Sequence, residues 1–155
     1  MEKNCTISQR NWITGFPLDN KTKFTHFPDR KPYLLMKEDS AITKQHHIDC
    51  TDTVTIGEFT TIAGYGTQIL SHSTSLKYVD GECAPITIGH HCFVGTRSIL
   101  LPDSVLPNYS VVGAGAVINK QFTEEYSLYG GTPAKFIKKE DPACQIFLKG
   151  NAKQS

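Results

Sequence analysis

An all-β solenoid, a triangular parallel β-helix, is the fold the sequence predicts, and three observations predict it. From Ile88 the chain falls into sixes: IGHHCF, VGTRSI, LLPDSV, LPNYSV and VGAGAV. The first place of each six is aliphatic, in Ile88, Val94, Leu100, Leu106 and Val112, and Ile118 continues the series. The fifth place is small, in Cys92, Ser98, Ser104, Ser110 and Ala116, and the second is rich in turn formers, with Gly89, Gly95, Pro107 and Gly113. A helix wants apolar residues three to four apart and a lone strand wants them two apart, so neither explains a period of six. A coil with three short flat faces does. Each corner asks for an inward aliphatic wedge, a small residue where the interior narrows and a residue suited to the bend. A β-sandwich with glycine-rich turns is the competing reading, but such folds do not hold one phase over thirty residues.

The same phase divides the chain. Ile42, Ile48 and Val54 keep the six-residue step, and IGEFTT and IAGYGT show the same pattern from Ile56 and Ile62. The predicted β-helix therefore spans residues 41–122. From Ile62 the next first place is Gln68, and the twenty residues from there to Ile88 are not a multiple of six. Extra chain must leave the stack, and the polar stretch STSLKYVDGECAP, residues 73–85, reads as an extruded loop. Residues 1–40 lack the period and read as an irregular cap. Residues 123–155 read as a C-terminal tail, with Thr123 to Lys139 leaving the stack and Pro142 to Lys149 lying on it.

Composition narrows the function. The 155 residues suit one domain, and 39% hydrophobic with 20% charged residues is ordinary for a globular chain. A net charge of +1 argues against neutralising nucleic-acid phosphates as the main task. Five cysteines, odd in number and without a Cys-x-x-Cys pair, argue against a disulfide framework or a structural zinc site. The N-terminal residues show no apolar signal core, and no apolar run nears the roughly 18 residues of a membrane span. The expectation is a cytoplasmic protein without membrane insertion.

Three segments, APITIGHHCFVGT, VVGAGAVINK and YGGTPAKFIKK, resemble the hexapeptide-repeat acyltransferases, most closely the sugar O-acetyltransferase branch, and the resemblance covers about residues 41–139. It implies a left-handed β-helix, a homotrimer with sites in the grooves between neighbours, and acetyl-coenzyme A as donor of an acetyl group to a hydroxyl of a sugar or polysaccharide precursor, with no metal. N-acetylation of an amino sugar, or a non-catalytic trimeric module, is the alternative. A γ-class carbonic anhydrase shares the fold, but its His-x-x-x-x-His spacing is absent here.

The resemblance places the catalytic base at His72, at the root of the extruded loop. A histidine suits this work because it gives and takes protons near neutrality. By phase alone His72 could instead point inward as a structural histidine. For coenzyme A it points to Thr96, Ala114, Asn119, Lys120, Lys135 and Lys138, with Arg97 as a possible addition. Gly113 to Ala116 are small, which leaves room for a pantetheine arm. Phosphate binding is the favoured role of Lys135 and Lys138, and a solvated basic tail is the competing reading. His46 and His47 stand where the family places an active-site asparagine, so they are candidates for the acceptor side or plain polar corner residues. Tyr78, Asp80 and Glu82 of the loop are further acceptor candidates, and a loop carboxylate could orient His72. His90 and His91 are expected to face outward, away from the chemistry.

Overall fold

The computed structural model describes residues 1–150 and shows three parallel sheets wound as one triangular coil. The first coil takes Thr6–Ile7 on face one, Trp12–Thr14 on face two and Leu34–Met36 on face three. The second takes Ala41–Ile42, His47–Asp49 and Val54–Ile56 in the same order. The third takes Thr61–Ile62, Gln68–Leu70 and Ile86–Ile88, and the fourth Phe93–Val94, Ile99–Leu100 and Val105–Leu106. The fifth, Ser110–Val112 and Val117–Ile118, is closed by a bridge from Gln121 to Val105.

The aliphatic first places are the core. Ile42, Ile62, Val94 and Val112 stack on face one, Ile48, Ile69, Leu100 and Ile118 on face two, and Ile56, Ile88 and Leu106 on face three, all fully buried. The small fifth places are buried too, and their serines close the corners. Ser98, Ser104 and Ser110 each donate to the carbonyl three residues earlier, at Gly95, Leu101 and Pro107. A hydroxyl at that place fits the narrow interior and gives the carbonyl at the bend an additional donor.

Three features depart from the expected layout. The stack begins at Thr6, not at residue 41, because Thr6–Ile7, Trp12–Thr14 and Leu34–Met36 pair in parallel with the second coil. Residues 1–40 are a coil of their own, interrupted by an excursion between Thr14 and Leu34 that hides its period. The inward residue after Ile62 is Ile69 rather than Gln68, which is exposed. The corner from Gly64 to Thr67 carries one extra residue and slips the phase. Finally, Ser127–Gly130 stays in the stack, parallel to Ser110–Val112, and only Lys135–Lys139 turns back antiparallel on it. The short 3-10 turn Gln145–Leu148 then lays Phe147 edge-on against Tyr109 and Tyr126 at the corner between faces three and one.

The second excursion leaves at His72–Ser73 and returns at Glu82–Cys83 as an antiparallel hairpin. Both excursions leave the corner between faces two and three, one from the first coil and one from the third. Neighbouring coils lie one strand spacing apart, about 4.8 Å, so the two roots stand about 10 Å from each other, room for a single layer of side chains. The corner of the second coil, Asp49 to Asp52, lies beneath them, and Asp49 and Thr51 are buried.

Candidate active site

His72 is held at the root of the hairpin by groups of that covered corner. Its Nδ1 lies 2.7 Å from Asp49 Oδ2 and 3.2 Å from Thr51 Oγ1. The buried Asp49 carboxylate also accepts from Thr51 Oγ1 at 2.8 Å, from the Ser71 amide at 3.1 Å and from Ser71 Oγ at 2.9 Å. Burial would push the Asp49 carboxyl up, but the hydrogen bonds from His72, Thr51 and Ser71 together outweigh it and hold the carboxyl below the ordinary carboxylate range. An ionised carboxylate only accepts, so the proton of a neutral His72 sits on Nδ1. Nε2 is then a free lone pair, and it makes no hydrogen bond to the described residues. The side chain is 35% exposed, so the ring is not locked in the core.

That ring faces an open pocket of ≈ 480 Å³ lined by Phe16, Phe24, Leu70, Val79 and Leu101, with Lys23, Ser73 and Thr74 among its polar members. Phe16 and Phe24 meet the imidazole edge-on at 5.4 and 5.6 Å. Two cysteines lie close by but are poor nucleophiles. Burial pushes the Cys50 thiol up to about 12 and the Cys83 thiol, opposite His72 in the hairpin, up to about 11.

The other predicted residues sort by position. His46 is buried at 2% exposure, its Nδ1 accepting from the Thr67 amide at 3.1 Å and its Nε2 2.8 Å from Thr43 Oγ1. Both ring nitrogens are spent on the corner, so His46 is a structural residue rather than an acceptor contact. His47 lies on the outer surface of face two, stacked on Trp12 at 5.0 Å with Nε2 3.0 Å from Thr14 Oγ1. The loop candidates turn inward on the protein. Tyr78 packs on His26 at 4.4 Å, Asp80 accepts from Thr25, and Glu82 accepts from Ser73 at 3.2 Å. A carboxylate does orient His72, but it is Asp49 rather than one from the loop. His90 and His91 sit at the corner between faces three and one, in contact with each other and with Tyr109.

The coenzyme candidates form two groups. Thr96 and Ala114 share the corner between faces one and two, with Lys135 at the strand end above them. Thr96 Oγ1 already donates to the Tyr65 carbonyl at 2.8 Å. Asn119 and Lys120 are exposed on the next corner, one coil beyond Leu101. Lys138 is paired with Glu140 at 3.2 Å, at the other end of the strand from Lys135. The glycines separate packing from another demand. A Cβ at Gly57 would lie 2.4 Å from the Gly89 carbonyl carbon, and one at Gly95 would lie 2.7 Å from the Val112 oxygen. Coil stacking forces those two. At Gly113 the nearest atom would be 3.7 Å away, so stacking does not force that glycine, whereas Gly115 holds φ +72, a backbone shape that itself favours glycine. Ala116, by contrast, is small because it is buried in the core.

Among the described residues no three His, Cys, Asp or Glu side chains gather in a metal-holding group, and no helix is long and apolar enough to cross a membrane.

Comparison with known proteins follows the same fold. No family model matches the chain. It is 28% identical over 116 residues, 66% of its length, to the Escherichia coli (strain K12) protein named for lipopolysaccharide biosynthesis O-acetyl transfer, and spans 59% of that protein. It is 31% identical over 64 residues to a chloramphenicol acetyltransferase of Agrobacterium fabrum, covering 40% of this chain and 30% of that one. Among solved structures, a hexapeptide-repeat acetyltransferase of Vibrio cholerae complexed with acetyl-coenzyme A superposes with TM-score 0.68 at 22% identity, over 90% of this chain and 72% of that one. A maltose O-acetyltransferase of Clostridium difficile gives 0.71 at 17%, over 90% and 68%, and a polysialic acid O-acetyltransferase gives 0.66 at 17%, over 97% and 71%. The chain therefore has the left-handed parallel β-helix fold of the hexapeptide-repeat acetyltransferases.

Proposed function

We propose that the protein is a coenzyme-A-dependent O-acetyltransferase that acetylates a hydroxyl of a sugar or polysaccharide precursor, with His72 as general base. The observation that carries this reading is the Asp49–His72 pair, whose free Nε2 opens on a pocket in a fold shared with acetyltransferases. His72 Nε2 takes the proton of the acceptor hydroxyl as its oxygen attacks the thioester carbonyl carbon. The carbon–sulfur bond then breaks, and the imidazolium returns the proton to the departing thiolate. Asp49 fixes the tautomer and balances the transient positive charge. The acceptor attacks directly, because the nearby thiols are held protonated.

Acetyl-coenzyme A is the donor substrate. Thr96, Ala114 and Lys135 hold it at one corner and Asn119 and Lys120 at the next, with Gly113 leaving the space that its arm needs. The active assembly is a homotrimer. Leu76 and Val79 at the hairpin tip, 107% and 103% exposed, are the apolar surface that a neighbouring protomer covers. The cytoplasm, where the donor is made, is the compartment that this reading implies.

The test is a thiol-release assay with acetyl-coenzyme A against sugars, nucleotide sugars and amines. Turnover of a saccharide hydroxyl is expected, with His72→Ala lowering kcat by roughly a hundredfold or more while the fold stays intact. Turnover restricted to amines would replace the O-acetyl assignment, and a loss of tenfold or less would remove His72 from its role.

A further inference from the structure

We propose that the two excursions form a single clasp, latched by Asp80 on Thr25, which sets Phe16 and Phe24 as positioning residues for the His72 ring and as the acceptor-facing wall of its pocket. The inference rests on the reading of His72 as base and adds a role for residues 15–33, which the repeat does not include.

Four consecutive residues of the first excursion meet the tip of the hairpin. The Phe24 amide donates to the Asp80 carbonyl at 3.2 Å. The Thr25 amide donates to Asp80 Oδ2 at 2.7 Å, and the Thr25 hydroxyl donates to the same oxygen. His26 Nδ1 lies 3.4 Å from Asp80 Oδ1, and both His26 and Phe27 pack on Tyr78. Gly81 gives an independent sign that the fit is built. It holds φ +97, and a Cβ there would stand 2.9 Å from the Phe24 ring. Any other residue at 81 would strain the backbone and displace that ring.

The root of the excursion is fixed as well. Arg30 is buried, and its guanidinium donates to the Phe16 carbonyl at 2.7 Å, the Pro17 carbonyl at 2.6 Å and the Thr51 carbonyl at 2.9 Å. Thr51 is itself a neighbour of His72 Nδ1 and a donor to Asp49. One connected set of bonds thus runs from the latch through the aromatic pair and Arg30 to the base. Phe16 and Phe24 meet the imidazole edge-on, so their rings back the orientation that its bond to Asp49 sets. Their rings also give the pocket an apolar side, a surface suited to the C–H face of a sugar ring.

The experiment compares Asp80→Ala, Asp80→Asn and Phe24→Leu in the full chain. It uses amide exchange by NMR and steady-state kinetics with acetyl-coenzyme A and whichever saccharide the thiol-release panel shows to be turned over. Asp80→Ala should raise exchange at the Thr25 amide at least tenfold while amides of Ile62 and Leu100 stay protected. It should lower kcat/KM for the acceptor about tenfold and leave the KM for acetyl-coenzyme A within twofold. Asn retains an acceptor oxygen for Thr25, so Asp80→Asn should recover most of both losses. Phe24→Leu should raise the acceptor KM with the latch amide unchanged. Unchanged Thr25 exchange in Asp80→Ala would overturn the clasp even if no acceptor is ever found. Increases of equal size in both KM values would overturn its role in acceptor binding while leaving the acetyltransferase reading in place.

Discussion

At the scale of single residues the site depends on one buried carboxylate. Asp49 is among the most enclosed charges in the molecule, and it is tolerated because four donors surround it. Asn at this position would offer an N–H toward His72 Nδ1 and so favour the tautomer with Nε2 protonated. Asp49→Asn is therefore expected to lower kcat about a hundredfold or more with little change in the KM for acetyl-coenzyme A, measured in the thiol-release assay. Acid should act on the same bonds. The Thr25 hydroxyl and amide hold the Asp80 carboxyl down to about 2, and Asp49 is also held below its ordinary value. A depressed folded-state pKa means that the stabilisation is complete above the unfolded carboxyl value, about 4, and is lost as pH falls toward 2. Thermal unfolding followed across that window should show the midpoint dropping, with a shallower drop in Asp80→Asn. A midpoint that rises in acid would contradict the assignment of both carboxylates.

At the scale of the coil, the glycines distinguish what stacking requires from what a ligand requires. Gly57→Ala would force a Cβ against the Gly89 backbone at 2.4 Å. The expected cost is about 1–3 kcal/mol, read from denaturant unfolding, with kinetics unaltered in the molecules that remain folded. Gly113→Ala meets only ordinary contacts. Its stability should stay within about 0.5 kcal/mol while the KM for acetyl-coenzyme A rises several-fold. If Gly113→Ala leaves that KM unchanged, the coenzyme lies elsewhere. The corners also show that a positive φ in this coil does not require glycine. Gln45 and Arg97 bend at one corner, and Phe59, His91, Tyr109 and Tyr126 at another, all at positive φ. Their side chains stack coil on coil, as in the Tyr109–Tyr126 pair at 4.4 Å and the Phe59–His91 pair at 4.8 Å, and these contacts offset the strain of about 1–2 kcal/mol per residue.

At the scale of the whole molecule, the exposed apolar hairpin tip offers a test of the proposed homotrimer. Replacing Leu76 and Val79 together by Asp should convert a particle of three chains into monomers, as measured by light scattering after gel filtration, with the far-ultraviolet spectrum unchanged. A trimer that survives this change would place the interface elsewhere.

The sequence by itself determined the winding. Aliphatic residues every sixth place, small residues at the fifth and a break of phase between Gln68 and Ile88 specify a triangular solenoid with a loop thrown out near His72, because each face of a coil must bury an aliphatic side chain before the chain turns the next corner. The step from Met36 to Ile42, and that from Ile7 to Ile13, also carry the period, so the first coil was legible once its excursion is removed. Only the tertiary structure decided the partners of the base. Asp49 precedes His72 by 23 residues, and Phe16 and Phe24 by 56 and 48. No local pattern links them, since they meet only because three successive coils turn the same corner and two of them open there.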